Sequence, residues 1–400
     1  MLKKILKSYD YTLIIAVALL AVFGLIMVFS ASMVTAVQIY DQDSDFFYNK
    51  QKLNLFISSI VFVFVALFPY KAMQSNKFLV PMVFLSLFGL IALFIFGKVA
   101  GGAMSWFEIG KRSLQPAEFV KLSVIIYLAA VYAKKQPYIN EFNKGVLPPL
   151  AYLILAVILV AVQPDFGSAM IILLVAGAVI FTSGMNFKNI FKLGLFGVLL
   201  ASPFILLLKD KIFAPYRLGR VEAFRDPFGS EFGYQLSNSY IALGAGGLKG
   251  LGLGESIQKL GYLPEAHTDF IMAVIAEELG AFGVGFVILL LGYIVLRGIF
   301  ISLKCKDAFG SLLAIGISAM IGIQAFINLA GISGVMPLTG VTLPFISYGG
   351  SSLLQLSIAM GILVNVSMFV NYEKKYKNKN EETNPESIEM ASEKTFSIHK

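Results

Sequence analysis

The sequence predicts an all-α polytopic membrane protein of ten transmembrane helices, with one long loop between helices 7 and 8. Three observations predict it. The chain is 57% hydrophobic and only 14% charged, whereas a soluble domain carries roughly 25% charged residues, and its mean hydropathy is +0.78. Apolar runs long enough to cross a bilayer, which takes ~20 residues, recur along the whole length. A polar stretch, 209–268, interrupts them once and closes on Leu263-Pro264-Glu265-Ala266-His267-Thr268-Asp269.

The first span, 11–36, follows Lys3, Lys4 and Lys7. A cleaved signal peptide has an apolar core of only ~7–15 residues, so this longer run reads as a retained signal anchor. Spans at 53–69, 79–97 and 116–133 come next. Those at 147–162 and 166–183 are separated only by Gln163-Pro164-Asp165. Proline removes a helical donor there, so the two form a tight re-entrant hairpin, with Asp165 either its cap, the favoured reading, or part of a cavity mouth. The seventh span is 190–208. The eighth, 270–297, can equally be kinked at Gly280, Gly283 and Gly285. Spans 309–332 and 349–370 complete a single membrane domain over 1–370. The remainder, 371–400, is charged and without apolar periodicity, and reads as a disordered cytoplasmic tail. Its Lys374, Lys375, Lys377 and Lys379 can touch anionic headgroups.

Orientation follows from the Lys and Arg residues of the short loops. Lys71, Lys77, Lys134, Lys135, Lys144, Lys188, Lys192, Arg297, Lys304, Lys306 and the tail fall on one side. Asp41, Asp43 and Asp45, with Lys50, Lys52, Lys98, Lys111 and Arg112, fall on the other. Both termini are therefore expected in the cytoplasm and 209–268 outside. The net charge of +8 follows from this topology and is not a nucleic-acid signal. A single cysteine, Cys305, excludes an internal disulfide. No internal repeat supports an inverted-repeat transporter.

Asp269 stands where the loop re-enters the bilayer, just before the apolar run Phe270-Ile271-Met272-Ala273-Val274-Ile275. A carboxylate at that depth can meet a ligand with polar groups in water and an anchor in lipid. It can also cap the eighth helix, together with Thr268, in which case the helix dipole lowers its pKa. The loop carries Arg217, Arg220, Arg225, Lys249 and Lys259 among a nearly balancing set of acids. Two readings stand: surface ion pairs, or a diphosphate site in which Arg offers a planar fork. Gly244, Gly246, Gly247, Gly250, Gly252 and Gly254 permit close approach to a ligand, although no phosphate-binding fingerprint is present.

Charges inside spans are costly unless paired. Glu118 and Lys121 lie at i and i+3 after Pro116 and can pair on one helix face. Glu277 and Glu278 lie two turns into the eighth span, ~12 Å from Asp269, and one of them can answer Lys121. The run from Gly331 to Ser352 contains Pro337 and Pro344. It is irregular backbone at membrane depth, suited to forming the wall of a cavity rather than supplying a catalytic group. His267 and His399 are the only histidines, so no metal-ligand spacing exists, and His267 reads as a hydrogen-bonded loop residue.

Four motifs together resemble the SEDS family (shape, elongation, division and sporulation) over roughly 10–370. They are Gln115-Pro116-Ala117-Glu118-Phe119-Val120-Lys121, Gln163-Pro164-Asp165-Phe166-Gly167, Leu263 to Phe270, and Asn328 to Ser352. Within the family the division branch fits better than the elongation branch. Ala266-His267, the run Thr339 to Pro344 and the tail carry that choice.

The resemblance implies a peptidoglycan glycosyltransferase that polymerises lipid II at the outer face of the cytoplasmic membrane during septal wall synthesis. A lipid II flippase and a non-catalytic division scaffold are the alternatives. It implies Asp269 as the essential aspartate, read here as the general base, and Glu118 and Lys121 as a cavity pair that binds substrate. Arg217, Arg220, Lys249, Lys259, Lys111 and Arg112 are the candidate substrate cations. One departure is Gly102-Ala103-Met104-Ser105-Trp106, where an Arg is expected close before Trp106; Lys111 and Arg112 are its substitutes. The expected partners are a class B penicillin-binding protein transpeptidase and other divisome membrane proteins, with no nucleic acid. No resident metal is expected; Mg2+ or Mn2+ can assist the diphosphate.

Overall fold

In the computed structural model, residues 2–100, 103–110, 112–207 and 209–377 are described. The helices run α1 (Leu2–Leu6), α2 (Tyr11–Gln38), α3 (Phe46–Leu67) and α4 (Asn76–Phe96). A small antiparallel sheet follows, β1 (Lys98–Ala100), β2 (Ala103–Ile109) and β3 (Arg112–Leu114), in the order β1-β2-β3. Then come α5 (Pro116–Lys134), α6 (Leu150–Val162), α7 (Phe166–Thr182) and α8 (Phe187–Leu207). The long loop holds α9 (Lys209–Ile212), α10 (Pro215–Arg225) and α11 (Tyr234–Ala245), and the chain closes with α12 (Ile271–Lys304), α13 (Ala308–Ile332) and α14 (Gly350–Tyr372).

Each of the ten expected spans is a helix, α2 to α8 and α12 to α14. Seven helices among the described residues are long and apolar enough to cross a membrane; α6 and α7 are shorter apolar helices. Boundaries shift where polar residues hide a helix. α3 starts at Phe46 rather than 53, and α12 continues to Lys304 rather than 297. The sheet was not expected from the sequence, and Met104 N–H ties it to the Gln163 carbonyl at 3.2 Å. α14 runs on to Tyr372, followed by a π-turn at Glu373–Lys377; the rest of the tail, including Lys379, lies outside the described residues.

The core sits around α5, which packs against α4, α7, α13 and α14 and is buried along most of its length. Outer helices turn large apolar side chains such as Phe64, Phe84, Phe88 and Ile95 outward, as a hydrocarbon solvent requires. At the α6–α7 hairpin Asp165 caps α7, accepting from Ser168 N–H at 3.0 Å, as expected.

α12 breaks at Gly280, whose φ of 62° and ψ of −158° leave the helical region. The break frees backbone groups, and the glycine-rich loop takes them. Leu251 N–H donates to the Glu277 carbonyl and Gly252 N–H to the Glu278 carbonyl, both at 2.9 Å; Ala281 N–H donates to the Gly247 carbonyl at 3.0 Å. A Cβ on Gly246 would lie 1.7 Å from the Ala276 carbonyl oxygen, so only glycine permits this approach. The close approach expected toward a ligand is thus made to α12 instead.

The same docking settles the intramembrane charges. Glu278 pairs with Lys259 at 2.6 Å and accepts from Ser30 Oγ at 2.7 Å, and both charged side chains are buried. Glu277 accepts from Ser256 Oγ at 2.5 Å and Ile257 N–H at 3.0 Å. Neither glutamate answers Lys121, which pairs with Glu118 at 2.7 Å. Lys259, expected as a diphosphate partner, is instead committed to an internal ion pair. Removing one member of a buried pair strands the other charge. Lys259→Met should therefore lose about 3–5 kcal/mol of stability, read as a lower thermal midpoint in detergent, and adding Glu278→Gln should restore part of it.

Candidate active site

Asp269 is held by its backbone. Three consecutive carbonyls each receive one hydrogen bond: His267 from Tyr348 N–H at 2.9 Å, Thr268 from Ser347 Oγ at 2.7 Å, and Asp269 from Asn328 Nδ2 at 2.8 Å. Ser347 Oγ also accepts from Leu343 N–H at 2.8 Å. The irregular segment between α13 and α14 therefore holds the loop before the carboxylate, and Asn328 of α13 holds the carbonyl of Asp269 itself. His267 is buried, with its ring 4.4 Å from that of Phe47 and 5.7 Å from that of Tyr348. Burial pulls its pKa down to about 4, so at neutral pH it is an uncharged wedge and not a base.

The expected helix cap is not made. Phe270 occupies the N-cap position without a side-chain hydrogen bond, and the Thr268 hydroxyl turns back to Glu265 Oε2 at 2.6 Å. Among the described residues nothing donates a hydrogen bond to the Asp269 carboxylate. Burial raises its pKa to about 6, Glu265 pushes the same way, and Arg220 opposes both. This reverses the lowering expected from the helix dipole, because desolvation outweighs a dipole the carboxylate does not cap.

Asp269 opens into a cleft whose other polar lining residues are Arg220, Gln235, Asn328 and Thr339. Its apolar wall includes Ile327, Leu338 and Val341. Gly340, at a φ of 76°, lets the two charges converge: a Cβ there would lie 3.5 Å from Asp269 Oδ2 and 3.6 Å from Arg220 Nη2. Arg220 is positioned by the Leu338 carbonyl at 3.1 Å and by the Tyr216 ring and hydroxyl. It comes from α10, one turn after Arg217.

Arg217 faces elsewhere. It donates to the Pro164 carbonyl at 2.9 Å and to the Lys211 carbonyl, and stacks 4.5 Å over Phe166, docking α10 on the α6–α7 hairpin. Lys249 is exposed and has no partner among the described residues, but it adjoins Gly250, which packs against Glu278. That is on the order of 14 Å along α12 from Asp269. Glu118 and Lys121 are buried behind the cleft rather than on its surface. Arg112 lies in β3, and Lys111 lies outside the described residues.

Gln235, Gln324 and Asn328 escaped the reading as chemistry-bearing residues. The available signal was two amides, Gln324 and Asn328, four residues apart in an otherwise apolar span. Among the described residues no three His, Cys, Asp or Glu side chains cluster as a metal site.

Comparison with known proteins agrees with this architecture. The FtsW–RodA–SpoVE family model, described as "Cell cycle protein", matches residues 11–372. The chain is 57% identical over 384 residues to a Bacillus subtilis (strain 168) protein named probable peptidoglycan glycosyltransferase FtsW, covering 95% of each chain. It is 40% identical over 369 residues to stage V sporulation protein E of the same organism, covering 91% of this chain and 98% of that one. A solved structure described as "Structural coordination of polymerization and crosslinking by a peptidoglycan synthase complex" superposes with a TM-score of 0.71 at 25% identity, over 90% of this chain and 98% of that one. With the family model spanning nearly every helix that builds the cleft, the chain belongs to the FtsW–RodA–SpoVE family of cell cycle proteins.

Proposed function

We propose that this chain is a peptidoglycan glycosyltransferase that polymerises lipid II at the outer face of the cytoplasmic membrane, with Asp269 as general base. The observation that carries the reading is a carboxylate that accepts no hydrogen bond among the described residues, raised to about 6, beside the Arg220 guanidinium at the end of a membrane helix. The lysine and arginine bias of the short loops supports an outward-facing cleft and cytoplasmic termini. The 57% identity to a division protein supports a septal role.

In the transfer, the 4-hydroxyl of one lipid II attacks the anomeric carbon of a lipid-diphosphate-linked glycan, and the diphosphate leaves. Asp269 takes the hydroxyl proton as the new bond forms, and in-line attack inverts the linkage from α to β. Diphosphate needs no protonating acid. One carboxylate therefore suffices, where a glycosidase uses two. A base with a pKa near 6 is ionised at neutral pH and stronger than an ordinary aspartate, which suits a weakly acidic hydroxyl. Arg220 is the cation we assign to the diphosphate, because it lines the cleft beside Asp269, whereas Arg217 docks α10 on the α6–α7 hairpin. Mg2+ or Mn2+ would arrive with the diphosphate and share its charge. A class B penicillin-binding protein transpeptidase is the expected partner, a reading supported by the similarity to a solved peptidoglycan synthase complex that coordinates polymerization and crosslinking.

Purified full-length chain with lipid II in detergent, with and without a partner transpeptidase, tests the reading. Glycan chains should form, and Asp269→Asn should reduce their rate by ~10²–10⁴-fold. No polymer with the partner present would overturn the proposal, and lipid II scrambling in liposomes that survives Asp269→Asn would favour a flippase instead.

The initial rate should rise with pH through about 6 and level off above it. Arg220→Met should move that limb to higher pH and Glu265→Gln to lower pH, because the first charge favours the carboxylate and the second opposes it.

The raised pKa also fixes a stability effect. Asp269 supports the fold fully below the ordinary aspartate range and loses that support as pH rises through about 6. Asp269→Asn should therefore match or exceed the wild-type thermal midpoint at neutral pH, with the advantage disappearing in acid.

A further inference from the structure

The buried Glu118–Lys121 pair is connected to the cleft by two amides. Lys121 Nζ donates to Glu118 Oε1 at 2.7 Å and to Gln324 Oε1 at 3.1 Å. Gln324 Nε2 in turn donates to the Thr342 carbonyl at 3.2 Å. One turn further along α13, Asn328 Nδ2 donates to the carbonyls of Val341 and Asp269, each at 2.8 Å. Residues four apart share a helix face. The two amides thus hold adjacent residues, Val341 in the cleft wall and Thr342 next to it, and the second also holds the carbonyl of the base.

The chemistry fixes the direction of each amide. Lysine has three donors and no acceptor, so it takes the Gln324 oxygen and turns Nε2 toward Thr342. Asn328 commits both Nδ2 hydrogens to carbonyls, which leaves Oδ1 buried and without a partner among the described residues. Neither Gln324, Lys121 nor Glu118 lines the cleft. Asn328 does, but its donors are already committed to the backbone.

We propose that Gln324 and Asn328 are positioning residues through which the Glu118–Lys121 pair sets the placement of Asp269 and of the Gly340–Thr342 segment that forms part of the cleft wall. The ion pair orients Gln324, Gln324 holds Thr342, and Asn328 joins Val341 to the carbonyl of Asp269. The pair therefore acts on the transfer step without touching substrate, in place of the substrate-binding role expected for it. This rests on Asp269 being the base. A displacement of about 1 Å in a reacting group costs on the order of 10²-fold in rate, so a backbone brace of this kind governs turnover more than affinity.

The test uses the full-length chain and lipid II, with kcat and KM measured separately. Asn328→Leu keeps similar bulk and removes the donors. Its kcat, measured below a thermal midpoint lowered by the two orphaned carbonyls, should fall on the order of 10²-fold, while KM stays within about twofold. Gln324→Met should lower kcat about tenfold. Combined with Lys121→Met it should cost no more than Lys121→Met by itself, because both changes break one line of contacts.

A folded Asn328→Leu protein with wild-type kcat, a loss confined to KM, or losses of Gln324→Met and Lys121→Met that multiply would each overturn the proposal. Should Asn328→Leu fail to fold, the Gln324 and Lys121 cycle decides it. Asp269→Asn measured in parallel separates the two ideas. If it retains activity, the base assignment fails; if it is silent while the amide variants turn over normally, only the positioning role fails.

Discussion

Hydrogen bonds to the consecutive carbonyls of His267, Thr268 and Asp269 are the constraint on which the cleft depends. A loop that re-enters a bilayer carries backbone acceptors that water no longer serves, and each unsatisfied one is costly. Here two of the donors come from the segment between α13 and α14, which itself cannot be helical, and the third from Asn328 in α13. Two irregular stretches, remote in sequence, satisfy one another. The carboxylate is left with its backbone fixed and, among the described residues, no donor to its oxygens, while desolvation and the nearby Glu265 raise its pKa.

The same logic governs the kink in α12. Gly280 leaves the helical region and frees carbonyls one turn before it, and the glycine-rich loop 246–252 supplies the missing donors. Glycine serves here because the loop backbone lies within carbonyl contact of the helix. The ion pair between Lys259 and Glu278 lies under this contact and, with Ser30, ties α2 to both. What reads in sequence as a phosphate-friendly loop with a nearby cation is a splint for a broken helix.

Buried charge in this protein divides by position. Lys259 and Glu278 join loop to bundle, Glu118 and Lys121 brace the wall behind the cleft, and Asp269 with Arg220 stand at its open side. Among the described residues, Asp269 and Arg220 make no direct ion pair with each other. That separation lets the carboxylate act as a base while the guanidinium remains available to an anion.

Much of this was legible in the sequence. Hydropathy gave the ten helices, Pro164 and Asp165 gave the hairpin and its cap, and the return to apolar residues after Asp269 placed the carboxylate at the end of a span. These are local properties, set by period, length and the backbone limits of proline. The pairing of Glu118 with Lys121 was local too, but the contact of Lys121 with Gln324, the partners of Lys259, Glu277 and Glu278, the close packing of the glycine loop on α12, and the pKa of Asp269 were decided only by the tertiary structure. Each depends on which distant groups share a dry interior, because desolvation and hydrogen bonding act over a few ångströms of space, whereas sequence order records only neighbours along the chain.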